Sequence, residues 1–305
     1  MSEFKLFRHY QIVLVMIVVA ACRCFPIGGI NDTHQESLLS EISTETETSQ
    51  DDNHESDHQI QTPGSQADEQ ELDAPSILLS ESIVFEGVQF SYDPLVFNPV
   101  SPHIVAGQFM GEDYPPQATY PDHLQFDFEQ NQPGEHFFEP TIRIYPIVEY
   151  EGISELAIST VQHLESVLNE KPEGGLFTSF PHMGLWGAVQ LFTVQVRYLE
   201  FQNGMGVRYL SMFGQDVYPP DNQHLVYIFQ GITDDRLHYI SAVLPITHPS
   251  LPDDGNALID DWETFYENWD ALLNQVFSDL DKAEPESFVP DLAGFDAMLA
   301  SIRFE

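Results

Sequence analysis

At 305 residues the chain can hold one large domain or two small ones, and its 49 acidic against 10 basic residues give a formal charge of −39. A surface of that sign repels nucleic-acid phosphates and anionic lipid headgroups, which sets both aside as partners of the folded part. It attracts cations and basic proteins, and salt weakens the attraction. The simplest reading of the acidity is a highly soluble exported protein, or one adapted to high salt. Cys22 and Cys24 are the only cysteines, so a folded part beyond them has no disulfide framework, zinc knuckle or cysteine nucleophile.

Lys5, Arg8 and His9 precede the apolar run Ile12 to Ala21. A basic start, a short apolar stretch and small residues at its end describe a secretory signal peptide over residues 1–21. Ten apolar residues fall short of the roughly 20 that a bilayer crossing needs. The run ends Val19-Ala20-Ala21-Cys22, which resembles the bacterial lipobox and predicts lipidation of Cys22. Simple cleavage after Ala20 or Ala21, or retention as an anchor, are the alternatives the segment leaves open.

Residues 22–75 read as the lipidated cysteine followed by an acidic, Ser/Thr-rich tether. Asn31 to Pro75 holds thirteen acidic residues, eleven Ser or Thr, and no Lys or Arg. Such a stretch cannot bury a core, so disorder extended by self-repulsion is expected. Within it, His54-Glu55-Ser56-Asp57-His58 matches the spacing of a zinc-protease helix. Its flanks offer no apolar face to bury such a helix, so neither a metal nor any other cofactor is expected.

From Ser76 to Glu305 apolar and aromatic residues recur at regular spacing, as one globular domain requires. Ile83 to Tyr92 reads as a strand. Val96 to Pro121 is proline-rich and reads as irregular. His123 to Glu129 alternates strictly, and Thr141 to Tyr150 reads as a strand with Pro146 at an edge or bulge. Helical spacing then places Ile153, Leu156, Ala157, Val161, Leu164, Val167 and Leu168 on one stripe, predicting a helix over about 153–170 that Lys171-Pro172 stops. A loop with Phe177, Phe180 and Trp186 follows.

The centre of the domain is Ala188 to Thr247, which reads as four consecutive strands joined by short turns. Asp253-Asp254-Gly255-Asn256 invites a calcium reading, but an EF-hand count back from Gly255 puts Ser250 and Pro252 at the first ligand positions, and the pattern fails. Two helices close the chain, over about 260–282 and 290–303. Trp262, Phe265, Trp269, Leu272, Leu273, Val276 and Leu280 make the apolar face of the first. The element order implies an α+β fold with a largely antiparallel sheet.

Alternation divides the central strands into two phases. One runs Phe192, Val194, Val196, Tyr198, then Val207, Tyr209, Phe213, then Leu225, Tyr227, Phe229, then Leu237, Tyr239, Val243, and is expected to be core under a helix. The other mixes apolar residues with Thr193, Gln195, Arg197, Arg208, Gln230 and His238, and is expected to be partly covered. Gln195, Arg197, Arg208, Gln230 and His238 on that half-polar face are the candidate ligand-binding residues. Arg197 and Arg208 are two of only seven basic residues after Ser76. They pair with protein carboxylates on one reading, and hold an anionic ligand or a peptide through bidentate guanidinium contacts on the other.

Ile142-Arg143-Ile144-Tyr145-Pro146, the stretch from Phe201 to Leu210, Tyr227 to Thr233, and Leu244 to Pro252 resemble an uncharacterised group of bacterial surface lipoproteins. The likeness spans roughly 142–252 and implies no activity. The strand order, with the last helix ending Ala300-Ser301-Ile302, also resembles the PsbP-like α+β fold, which implies a binding or assembly module. No Gly-x-Ser-x-Gly elbow, phosphate loop or Gly-x-Gly-x-x-Gly occurs. The expected function is therefore a non-catalytic binding or assembly domain, tethered by a lipid to the outer face of the membrane, with a protein or small anionic ligand as its partner. The alternative is an extracytoplasmic hydrolase that works through paired carboxylates.

Overall fold

The computed structural model describes residues 79–305, except 112, 132–133, 185–187 and 216. The predicted export segment, Cys22, the predicted tether with its His-Glu-x-x-His match, and Trp186 lie outside the described residues. No helix among the described residues is long and apolar enough to cross a membrane.

The stretch from Ile83 to Tyr92 is a hairpin rather than one strand. β1 (Glu81–Phe85) and β2 (Val88–Tyr92) pair antiparallel, and Glu86 and Gly87 between them both have positive φ, 48° and 79°. Two left-handed residues make a turn whose twist matches that of the flanking strands. The proline-rich stretch that follows also contains a strand, β3 (Phe97–Val105). Pro99 and Pro102 lack N–H donors, and β3 accordingly sits at the edge of its sheet, where one row of backbone groups needs no partner strand.

β4 (His123–Gln130) and β5 (Thr141–Pro146) come next. Pro146 ends β5, and α1 (Ile147–Glu151) replaces the strand continuation expected as far as Tyr150. α2 (Glu155–Glu170) is capped by the Ser154 hydroxyl, which accepts from Ala157 N, and ends at Lys171 with φ 50°. It buries Ala157, Val161, Leu164, Val167 and Leu168 and leaves Ile153 outside. β6 (Gly175–Leu176), β7 (Val189–Gln190), β8 (Phe192–Phe201), β9 (Gly204–Ser211), β10 (Phe213–Gly214), β11 (Val226–Thr233) and β12 (His238–Pro245) follow. The chain closes with α3 (Trp262–Asp281), α4 (Leu292–Ala300) and β13 (Arg303–Phe304).

The result is an α+β fold on an eight-stranded antiparallel sheet of order β3-β4-β5-β12-β11-β9-β8-β6. A three-stranded sheet, β1-β2-β13, lies apart from it in hydrogen bonding. Both faces of the large sheet are covered, which is why β11 (VYIFQGIT) is buried at all eight positions and does not alternate. One face packs Leu210, Tyr227, Phe229, Ile240 and Leu244 with Trp269, Leu273 and Leu280 of α3 and with Leu292, Phe295 and Leu299 of α4. The other packs Val207, Tyr209, Ile228, Tyr239 and Val243 with α2, Phe180 and Met183.

This division corrects the two phases drawn from alternation. Tyr227 stands opposite Leu210 and Ile228 opposite Tyr209, so the run Val207, Tyr209 and the run Tyr227, Phe229 are on different faces. In β8 the register shifts between Val194 and Arg197, where Gln195 has φ 55°. One extra residue reverses the faces downstream of it. Val194 therefore packs in the first core, while Val196 and Tyr198 lie against the second.

Candidate functional site

The structure does not bring the five predicted ligand-binding residues into one place. The bulge turns Arg197 to the same face as Arg208, directly across the ladder. Both guanidinium groups meet one carboxylate from α4. Asp296 accepts from Arg197 Nη1 at 2.9 Å, from Arg208 Nε at 3.0 Å and from the Tyr227 hydroxyl at 2.9 Å. Arg208 Nη1 also donates to the Gln195 carbonyl oxygen. The Arg208 side chain is 4% exposed and that of Arg197 59%, so the first belongs to the core and the second marks its rim. The cluster ties α4 to the sheet, the structural alternative set beside the anion pocket.

The other three have separate duties. Gln195 Nε2 donates to the carbonyl oxygens of Leu280, Asp281 and Ala283 at 2.9, 3.1 and 2.9 Å, so it closes the C-terminal end of α3, where carbonyls lack helical partners. Gln230 lies on the opposite face of the sheet. Its Oε1 accepts from Met183 N at 2.9 Å and Tyr239 Oη at 2.8 Å, and its Nε2 donates to Ser241 Oγ at 2.9 Å. The His238 ring stacks on Phe304, with centroids 4.7 Å apart at 19°.

An open cleft lined by aromatic side chains lies elsewhere. Four segments far apart in sequence converge on a cleft of about 320 Å³: Phe137, Leu191, residues between Met212 and His224, and the first turns of α3. Trp262 and Tyr266 are four residues apart and so share one face of that helix; their rings lie 5.7 Å apart. The next aromatic of the series, Trp269, turns to the core. Phe137 stacks on His224 at 5.3 Å and Tyr218 meets the same imidazole edge-on at 4.7 Å. The buried Leu191, Met212 and Phe213 make the floor. Among the described residues no Asp, Glu, Lys or Arg lines this cleft.

His224 is the polar feature of the cleft, and its orientation is set from behind. Asp221 is fully buried and places Oδ1 2.7 Å from His224 Nδ1. The carboxylate accepts, so Nδ1 carries the proton and Nε2 is the ring nitrogen left for a ligand. Asp221 also accepts from His224 N at 3.0 Å, Gly255 N at 3.0 Å and Tyr218 Oη at 2.9 Å. Burial by itself raises the Asp221 carboxyl, but these hydrogen bonds outweigh it and hold the group below the ordinary carboxylate range. Burial, then the bond to that carboxylate, push the Tyr218 hydroxyl upward. With aromatic walls and the His224 imidazole on its lining, the cleft has the shape and chemistry to hold a ligand and accept a hydrogen bond from it.

A second, more polar cleft of about 490 Å³ is lined by Glu135, His136, Asn222, Thr247, His248, Asp253 and Ser287 among others. Its serine is not activated. Ser287 Oγ donates to Glu284 O at 2.6 Å and so receives from His248 Nε2 at 3.0 Å, while His248 Nδ1 accepts from Ser250 Oγ at 2.7 Å. The imidazole is a proton donor toward Ser287 rather than its base. Among the described residues no three His, Cys, Asp or Glu side chains are grouped to hold a metal ion.

Several histidines are structural and set an acid limit on stability. Burial holds His123, His136, His182 and His248 below the ordinary imidazole range. A histidine whose folded pKa lies below its unfolded value of about 6.5 binds fewer protons when folded. Its contribution is therefore complete above about pH 6.5 and is lost as the pH falls below that value. Asp221, depressed rather than raised, adds a further loss as pH falls below about 4. The urea unfolding midpoint is expected to be lower at about pH 5 than at about pH 7.5. The comparison belongs in roughly 1 M salt, where the Debye length of about 3 Å screens the self-repulsion that acid would otherwise relieve. Equal midpoints at the two values would contradict the assignment of these rings, His123 and His248 buried and His136 and His182 half-buried, as neutral in the folded chain.

Protein-family models, curated proteins and solved structures were all compared with the chain, and none matches. Sequence reasoning passed over the aromatic cleft, although two local signals point there: Asp221 three residues before His224, and the four-residue spacing of Trp262 and Tyr266 behind an acidic helix start.

Proposed function

We propose that the folded part is a non-catalytic binding or assembly domain carried outside the cytoplasm on an exported, lipid-anchored chain, and that the aromatic cleft is its contact surface. The four central strands between 188 and 247 act as the platform from which the cleft is built. The observation that carries the proposal is the exposure of three large aromatic side chains on one concave patch. Phe137 is 52% exposed, Trp262 46% and Tyr266 51%. Single exposed apolar residues are ordinary, but grouped aromatics around a pocket are what binding hot spots are made of. His224, locked by Asp221, supplies the directional polar contact that such sites use to fix orientation.

The test is capture of envelope proteins by the full chain compared with its Trp262→Ala/Tyr266→Ala variant. Recovery of a specific partner is expected to fall about tenfold or more, because truncating an interface hot spot costs roughly 2 kcal/mol. Undiminished recovery by the variant would show that the contact surface is elsewhere. Anchoring is tested separately: Cys22→Ser is expected to move the chain from the membrane fraction to the soluble one.

A further inference from the structure

We infer that the occupant of the aromatic cleft is an arginine- or lysine-bearing segment of a protein partner. The inference rests on the reading of this cleft as the contact surface and adds the chemistry of what fills it.

Charge points in one direction. The helix that supplies Trp262 and Tyr266 also presents Glu263, Glu267 and Asp270 to solvent beside them. None of these three forms an ion pair among the described residues. Five of the seven basic side chains after Ser76 are engaged elsewhere, Arg197 and Arg208 on Asp296, Arg236 on Glu151 and Glu165, Arg143 on Gln125, and Lys171 over the Tyr198 ring. Lys282 donates to Ser278 at the far end of the helix, and neither it nor Arg303 lines the cleft. An anionic or strongly electronegative ligand therefore meets uncompensated carboxylates on the helix that carries Trp262 and Tyr266, and no cation within the cleft. A cationic one gains at both places.

The cleft itself suits a cation on a flat or slender stem. Trp and Tyr faces attract Arg and Lys through the ring quadrupole, and a guanidinium also stacks on them in plane. His224 Nε2, left as an acceptor because Nδ1 is given to Asp221, can take one guanidinium or ammonium N–H. The apolar floor covers the methylene stem. A chain of net charge −39 would draw a basic partner from a distance and align it, with an on-rate that falls as salt rises.

Three probes titrated onto the full chain separate the outcomes: octa-arginine, octa-proline and a neutral cellulose-derived oligosaccharide. Octa-arginine is expected to bind wild type at least about tenfold more tightly than Trp262→Ala/Tyr266→Ala, which has the same formal charge. Both aromatics are exposed, so the variant is expected to keep the wild-type unfolding midpoint, and His224→Ala offers an independent, smaller loss of affinity. Equal affinity of octa-arginine for wild type and the double variant would mean that acidity alone holds it and would overturn the inference. Octa-proline or the oligosaccharide binding in a manner the double variant abolishes, with octa-arginine failing to discriminate, would overturn the basic occupant while leaving the cleft as the contact surface. If no probe distinguishes wild type from the variant, both readings fall.

Discussion

Replacing Asp296 by alanine is expected to cost about 3–5 kcal/mol of folding stability, the range for removing one partner of a buried ion pair. Asp296 is nearly inaccessible and receives Arg208, Arg197 and the Tyr227 hydroxyl within 3.0 Å. Without it, the guanidinium of Arg208 stays 4% exposed with no counter-charge, and the fully buried Tyr227 hydroxyl loses its acceptor. The two arginines are not equivalent. Arg197 keeps its head in water, so Arg197→Ala is expected to cost no more than about 1 kcal/mol. Arg208→Met combined with Asp296→Leu removes charge from both sides and is expected to recover part of the loss, because an apolar pair avoids the desolvation of both ions while the buried Tyr227 hydroxyl still lacks its acceptor. Denaturant midpoints at unchanged slope measure each difference. A loss under about 1 kcal/mol for Asp296→Ala would show that the cluster is hydrated and not the lock that joins α4 to the sheet.

Gly206→Ala is the second large effect, expected at about 3 kcal/mol, the upper end of the usual cost of overpacking. A Cβ at this position would lie 2.4 Å from Phe229 Cζ and 2.6 Å from the Gln230 carbonyl oxygen. The ring can shift, but the carbonyl belongs to the neighbouring strand and cannot. Gly206 stands directly across the ladder from Gly231, where an added Cβ would lie 2.8 Å from the same Phe229 ring. Two facing glycines thus open the sheet surface so that Phe229 can lie flat against the backbone. Phe229→Leu in the Gly206→Ala background is expected to restore part of the loss and no more, since the carbonyl conflict persists. Thermal or denaturant unfolding decides it, and a Gly206→Ala protein as stable as wild type would mean that the strands separate freely here.

Both effects come from features that local patterns do not carry. The helix over Glu155–Glu170 was legible because its apolar stripe has one period and Lys171-Pro172 stops it, although its start was placed at Ile153, ahead of the Ser154 cap. The closing helices were legible from their apolar spacing, though Trp262 and Leu272, assigned to the apolar face of the first, are exposed. Reading Ile83 to Tyr92 as one strand missed a turn of Glu86 and Gly87, because a single glycine in an alternating run is a weak sign of reversal. The candidate site was legible only in part. The rarity of arginine picked out Arg197 and Arg208, and both do meet at one carboxylate, but the partner, Asp296, is 88 residues beyond Arg208. Gln230 and His238 joined that list through a shared phase, and phase is defined only within a strand.

The sequence by itself determined the excess of negative charge, which is a matter of composition, and the elements with a clean period, such as the Glu155–Glu170 helix, which depend on residues within a turn or two of one another. The tertiary structure alone decided which faces those residues share. Strand side chains alternate with a period of two, so the single extra residue at Gln195 reverses everything after it in β8, and the pairing register sets each strand against its neighbour. The aromatic cleft is likewise a product of packing. Phe137, His224 and Trp262 come from three separate segments, and only a formed core, with Trp269 turned inward and Trp262 left outside, brings them to one surface.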